Sequence, residues 1–174
     1  MDLYRLGIKL FAANSPSLQT KGFVPIFHSW IQRQCVAGHQ LIDVHDYSHI
    51  HQGPGVLLVA HEGNFSTDME DGRLGLAYFR KLPIKETGAS ALRAALKTVS
   101  EGVALLEAES SLSGLRFLKD ELLVISNDRL LAPNDTRSFQ ELKPALVAAF
   151  GEGAELVQVN PGTKQRLTVH VRLR

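Results

Sequence analysis

Cysteine is nearly absent: Cys35 is the only one in 174 residues. No intramolecular disulfide can form, which favours a reducing compartment and makes the cytoplasm the default expectation. An excess of one charge is also missing, because 19 basic residues meet 18 acidic ones for a formal net charge of +1. Without a global field to recruit nucleic acid or anionic lipid, neither a nucleic-acid partner nor a membrane is expected. No run approaches the roughly 20 apolar residues that a membrane-spanning helix requires. The start of the chain has Asp2 where a signal peptide has basic residues, and Lys9 interrupts the short apolar stretch Gly7–Ala13, so no signal peptide is expected.

Several sequence motifs are missing too. Neither Gly-x-Gly-x-x-Gly nor a P-loop occurs, so no nucleotide cofactor is expected. No Gly-x-Ser-x-Gly elbow is present, and Cys35 falls in a helical apolar stripe, where it reads as packing and not as an activated thiolate. His-Glu-x-x-His, paired Cys-x-x-Cys and an EF-hand loop are likewise missing.

What remains is an ordinary globular composition, 44% hydrophobic and 21% charged. The length suits one domain over residues 1–174, which can bury roughly 70% of its unfolded surface. The most informative stretch is Val56–Lys81, which reads as a long β-hairpin closed by Asp71-Gly72. A two-residue turn there sets Gly63 opposite Arg80, Phe65 opposite Tyr78, Thr67 opposite Leu76, Met69 opposite Leu74 and Glu70 opposite Arg73. Met69, Phe65, Leu74, Leu76 and Tyr78 then share an apolar face. Glu62, Asn64, Ser66 and Asp68 share the other with Gly75, Ala77 and Phe79, as a solvated face or the floor of a pocket. The uninterrupted run Val56–Ala60 reads as a central strand covered on both faces.

Elsewhere, Leu6–Ala13 reads as a first strand followed by a polar loop containing Ser15, Pro16 and Ser17. Phe23, Phe27, Trp30, Ile31 and Cys35 recur at helical spacing and predict a helix over 24–36, ended by Gly38. Leu41–Val44 reads as a strand. Leu92, Leu96, Val99, Val103 and Leu106 draw an apolar seam along a second helix, expected to pack on a sheet. Leu115–Leu118 and Leu122–Ser126 read as a small meander turning at Asn127-Asp128. Ser138 and Glu141 have the spacing of a capping box for a third helix reaching Phe150, with Pro144 awkwardly inside it. Leu167, Val169, Val171 and Leu173 alternate with Thr168, His170, Arg172 and Arg174, which predicts a final strand with one buried and one basic, wet face. The pattern predicts an α+β fold, a mixed and largely antiparallel sheet with about three helices mainly on one side.

Six of seven histidines, His28, His39, His45, His49, His51 and His61, fall in one early third of the chain. Imidazoles suit a divalent transition metal, and His45, His49 and His51 are the candidate ligands, with Asp43, Asp46 or Glu62 to complete the set. His49-Ile50-His51 has no acid before Val56, so its spacing permits a metal without specifying one. His61 and Glu62 are the candidate catalytic pair, with Glu62 as general base if burial raises its pKa. Asn64, Ser66 and Asp68 are the candidate ligand-binding residues beside it. Two functional readings follow: a domain that binds a small molecule or a second copy of itself through residues 43–68, or a metal-assisted hydrolase using the histidines. A purely structural oligomer subunit, pairing through the Leu92–Leu106 seam or the last strand, is the third.

Overall fold

The computed structural model describes residues 3, 5–14, 20–82, 85–112 and 114–174. The loop expected at Ser15, Pro16 and Ser17 lies outside them. Eight strands form one sheet: β1 (Leu6–Ala12), β2 (Leu41–Tyr47), β3 (Gly55–Ala60), β4 (Gly63–Asp68), β5 (Gly75–Arg80), β6 (Phe117–Ser126), β7 (Glu155–Gln158) and β8 (Thr168–Arg172). Their order is β2-β3-β4-β5-β1-β6-β8-β7, and every described pairing is antiparallel. The helices are α1 (Phe23–Arg33), α2 (Gly88–Glu107) and α3 (Thr136–Phe150). The fold is α+β. No helix among the described residues is long and apolar enough to cross a membrane.

The inner position belongs to β1, between β5 and β6, and every residue from Leu6 to Phe11 is buried. The run Val56–Ala60, expected to be central, forms β3 next to the edge strand, where Leu57 and Val59 are only half-buried. An apolar run reports that both faces are partly covered, and it does not report how many strands lie beyond.

The hairpin register read from Asp71-Gly72 is the observed one, with Gly63 opposite Arg80, Phe65 opposite Tyr78 and Thr67 opposite Leu76. Its strands are shorter than expected at both ends. Residues 69–74 form a longer tip, with Gly72 at φ +81° and its N–H donating to Met69 O at 2.9 Å. At the other end the long strand breaks at His61-Glu62, and β3 folds back on β4 through that two-residue turn. Gly63 allows the return, because a Cβ there would lie 2.6 Å from the Tyr78 hydroxyl.

Alternation divides the sheet into two faces. Leu6, Ile8, Leu58, Phe65, Leu76, Tyr78, Leu122, Val124, Val169 and Val171 join Phe27, Trp30, Leu92, Val99, Leu142 and Leu146 of the helices in one core cluster. The other face carries a smaller cluster, Phe11, Leu123 and Ile125 with Phe79 and Leu118 against it, to which no helix contributes. Phe27 and Trp30 are core, as their spacing predicts, and Leu92, Val99 and Leu106 of the α2 seam are buried in the same cluster. At Gly102 a Cβ would sit 2.9 Å from Leu76 and 3.1 Å from Phe65, so the missing side chain lets α2 approach β4 and β5 closely.

Three local expectations are corrected. The first helix ends at Gln34, in the left-handed region at φ 45°, and Cys35 lies beyond it, half-exposed. The Gln34 amide binds the backbone of Leu41 in both directions, at 2.9 and 3.0 Å, which fixes the entry into β2. The meander over 115–131 is a single ten-residue strand, β6, because Lys119, Asp120 and Glu121 accompany a register shift against β1 without leaving the strand. The third helix is capped by Asp135, whose side chain accepts the Ser138 N–H at 2.7 Å, so Ser138 lies inside the first turn.

Candidate functional site

Lys9 sits in β1, whose residues from Leu6 to Phe11 are all buried, with its side chain 1% exposed. It projects onto the face away from the helices and runs across Gly75, where a Cβ would lie 2.6 Å from Lys9 Cε. Its ammonium donates to Asp68 Oδ1 at 2.7 Å, Asp71 Oδ1 at 2.5 Å and Arg73 O at 2.7 Å. Three donors meet three acceptors, so a buried charge is fully satisfied and the hairpin tip is tied to the central strand.

A second polar group lies beside the first. Arg73 makes a two-pronged bond to Glu121, at 2.6 and 3.3 Å, and its guanidinium carbon lies 3.8 Å from the centroid of the Phe11 ring. His170 Nε2 is 2.6 Å from the same Glu121 carboxylate. The Arg73 hydrogen bond, helped by His170 and opposed by burial, holds the Glu121 carboxyl down to about 2. An ionised Glu121 makes His170 Nε2 the protonated nitrogen, and Nδ1 has no hydrogen-bond partner among the described residues. Arg166, on the approach to β8, pairs with Glu70 of the hairpin tip and lies 5.3 Å from the centroid of the Phe79 ring.

These groups surround a cleft of about 570 Å³, within the range of small-molecule sites. Phe11, Leu123 and Ile125 supply its apolar floor. Asp68, Glu70, Asp71 and Arg73 line it from the hairpin, Arg129 from the loop after β6, and Asn160, Gln165, Arg166, Thr168 and His170 from the final hairpin. That last loop is pinned by the buried Asn134, whose amide donates to Val159 O at 3.0 Å and Asn160 O at 2.8 Å.

The candidates chosen from sequence are scattered relative to this cleft. Asp68 alone lines it. Ser66 is buried on the same face, its hydroxyl unpartnered among the described residues. Asn64 accepts the Ala60 N–H at 3.4 Å and so serves the β3–β4 turn. His61 and Glu62 form that turn. Glu62 accepts the Gln40 N–H at 2.8 Å, and although burial pushes its carboxyl up, hydrogen bonds from backbone N–H groups hold it below its ordinary value. That direction is the reverse of what a general base needs.

His45 projects from the edge strand β2, His49 and His51 lie in the turn after it, and all three are exposed. No group of three or more His, Cys, Asp or Glu side chains placed to hold a metal occurs among the described residues. His39, outside the candidate set, is the early histidine with a tertiary role, its Nε2 2.6 Å from the Tyr78 hydroxyl.

Arg73, Arg129, Arg166 and His170 line the cleft but were missed in sequence, as were Lys9 and Glu121, which pair with lining residues. Lys9 did carry a signal, as the one charge inside a wholly apolar strand. For the others the exposed-strand pattern was the same as that of any solvated face. Comparison of the chain with protein families and with curated proteins finds no match.

Proposed function

We propose that this protein binds a small organic molecule in the cleft on the sheet face away from the helices. The observation that carries the reading is the combination of an apolar floor, Phe11, Leu123 and Ile125, with a wall of fixed polar groups around one concave space. The floor suits a flat apolar body, and Arg129, Asn160, Thr168 and His170 suit its polar substituents. The earlier expectation of ligand binding is thereby kept and its location moved, from residues 43–68 to the junction of the hairpin tip with the last hairpin. A cytoplasmic setting, suggested by the single cysteine, belongs to the same proposal.

Amide chemical shifts of labelled protein titrated with a panel of aromatic fragments test it. Binding should shift Phe11, Leu123, Ile125, Thr168 and His170 together, and Thr168→Trp, which fills the cleft, should abolish the response. Shifts confined to other surfaces would remove the cleft from consideration.

A second reading, an enzyme using His170 as general base, is favoured by one observation: Glu121 holds His170 Nε2 and leaves Nδ1 unpartnered. Hydrolysis of p-nitrophenyl esters that is lost in both His170→Gln and Glu121→Gln, with fragment binding retained, would favour catalysis over binding alone.

A further inference from the structure

All but one of the charged side chains lining the cleft have a charged partner, and in one of these pairs both partners line it. Asp68 and Asp71 both belong to Lys9, and Arg73 belongs to Glu121. Arg129 has no ion-pair partner among the described residues. Glu70 and Arg166 remain, and they pair across the cleft between two loops, 96 positions apart in the chain. Their side chains are 43% and 23% exposed, comparable with Arg73 and Glu121 at 46% and 16% and well above Asp68 and Lys9 at 7% and 1%. Pairs that exposed hold weakly and exchange with solutes.

Arg166 has contacts besides Glu70 that hold its position. Its guanidinium lies over Phe79, and its backbone forms a β-bridge with Pro133. Phe79 in turn packs against Gly7, its cross-strand partner, where a Cβ would be 2.4 Å from the ring. A guanidinium held this way presents its donor fork to the cleft whether or not Glu70 is there.

We propose that the carboxylate of Glu70 occupies the seat of a ligand's carboxylate, so that the cleft takes a small carboxylic acid with a flat apolar body by exchanging it for Glu70 at Arg166. This rests on the cleft being the small-molecule site. Arg129 supplies the cation that compensates the incoming charge, and Leu123 and Ile125 receive the apolar body. Glu70 then acts as a built-in competitor. It keeps Arg166 paired in the empty protein and sets a threshold that a weakly binding anion does not pass.

The test compares 2-naphthoate with its neutral isostere 2-naphthamide by amide chemical-shift titration, in the full chain. Wild type, Glu70→Gln, Arg166→Gln and the double variant are used, and the amide spectrum of each reports that it is folded. Naphthoate should bind more tightly than naphthamide. Glu70→Gln should tighten naphthoate about two- to fivefold, the range set by the strength of an exposed pair, and the gain should vanish when Arg166 is also replaced. A gain that persists without Arg166 is a general charge effect and overturns the proposal. Equal binding of naphthoate to wild type and Glu70→Gln overturns the seat and leaves the cleft as a binding site. Equal binding of acid and amide overturns the carboxylate class. Binding of neither probe in any variant overturns the proposal, and a fragment panel that also fails to reach the cleft then removes the binding reading with it.

Discussion

The Lys9 ammonium lies 2.7 Å from Asp68 Oδ1, joining the central strand to the end of β4, 59 positions away in sequence. Both side chains are almost wholly buried, so the pair has little exchange with water. Removing one partner of such a pair leaves an uncompensated buried charge, which costs more than the intact pair contributes. Lys9→Met should therefore destabilise the protein by roughly 3–5 kcal/mol. Adding Asp68→Asn and Asp71→Asn should recover part of that loss. Urea denaturation of the single and triple variants measures both.

Glu121 gives the cleft a pH dependence. Its carboxyl is held at about 2, below its ordinary 4.5, chiefly by Arg73. A depressed carboxyl contributes stability that is fully present above the unfolded value and is lost as pH falls through the folded one. Glu121→Gln should thus lower Tm at pH 6 relative to wild type, and the gap should close between pH 4.5 and 2. Thermal melts across that range check the prediction; a gap that stays constant would show that Glu121 contributes by packing alone.

Gly7 controls the position of Phe79. A Cβ at residue 7 would lie 2.4 Å from two carbons of that ring. Gly7→Ala should force the ring aside and cost about 1–3 kcal/mol, the usual range for overpacking. Because Phe79 also seats Arg166, the same change should weaken any anion bound in the cleft, and calorimetry with 2-naphthoate reads that second effect.

Tyr78 is buried beneath the turn that carries His39. Burial, offset by Arg80 and reinforced by Glu62, pushes its hydroxyl up to about 12. Its ionisation should fall well above the ordinary tyrosine value of 10 in an ultraviolet pH titration of wild type against Tyr78→Phe. The neutral hydroxyl is the form the folded protein keeps, so its contribution is intact below pH 10 and is lost as pH rises toward 12. Tyr78→Phe removes the bond to His39 and should cost about 1 kcal/mol.

Local patterns in the sequence were sufficient for much of the fold. Asp71-Gly72 specified the register of β4 against β5, because a turn and a period of two leave no freedom once the turn is placed. Phe27, Trp30, Leu92 and Val99 declared their buried face by helical spacing, which depends only on the geometry of one element. The places where that reasoning failed are those where one residue had two local roles to choose between. His61-Glu62 could continue a strand or turn it, and the contact of Gly63 with Tyr78 decided for the turn. Ser138 could cap a helix, but Asp135 lay closer to the entry and took the cap.

The cleft was beyond such patterns because its parts come from strands that the sequence separates and the sheet order reunites. Arg73 and Glu121 are 48 positions apart, Glu121 and His170 are 49 apart, and they meet because β1 lies between β5 and β6 with β8 beside β6. The histidine cluster shows the converse, since His45, His49 and His51 are neighbours in sequence and stand exposed at a sheet edge. By itself the sequence determined the element types, the core faces and the hairpin register, all of which depend on neighbours along the chain. Only the tertiary structure decided which charges would meet over Phe11, because strand order, set by packing of the whole sheet, is a property of no single segment.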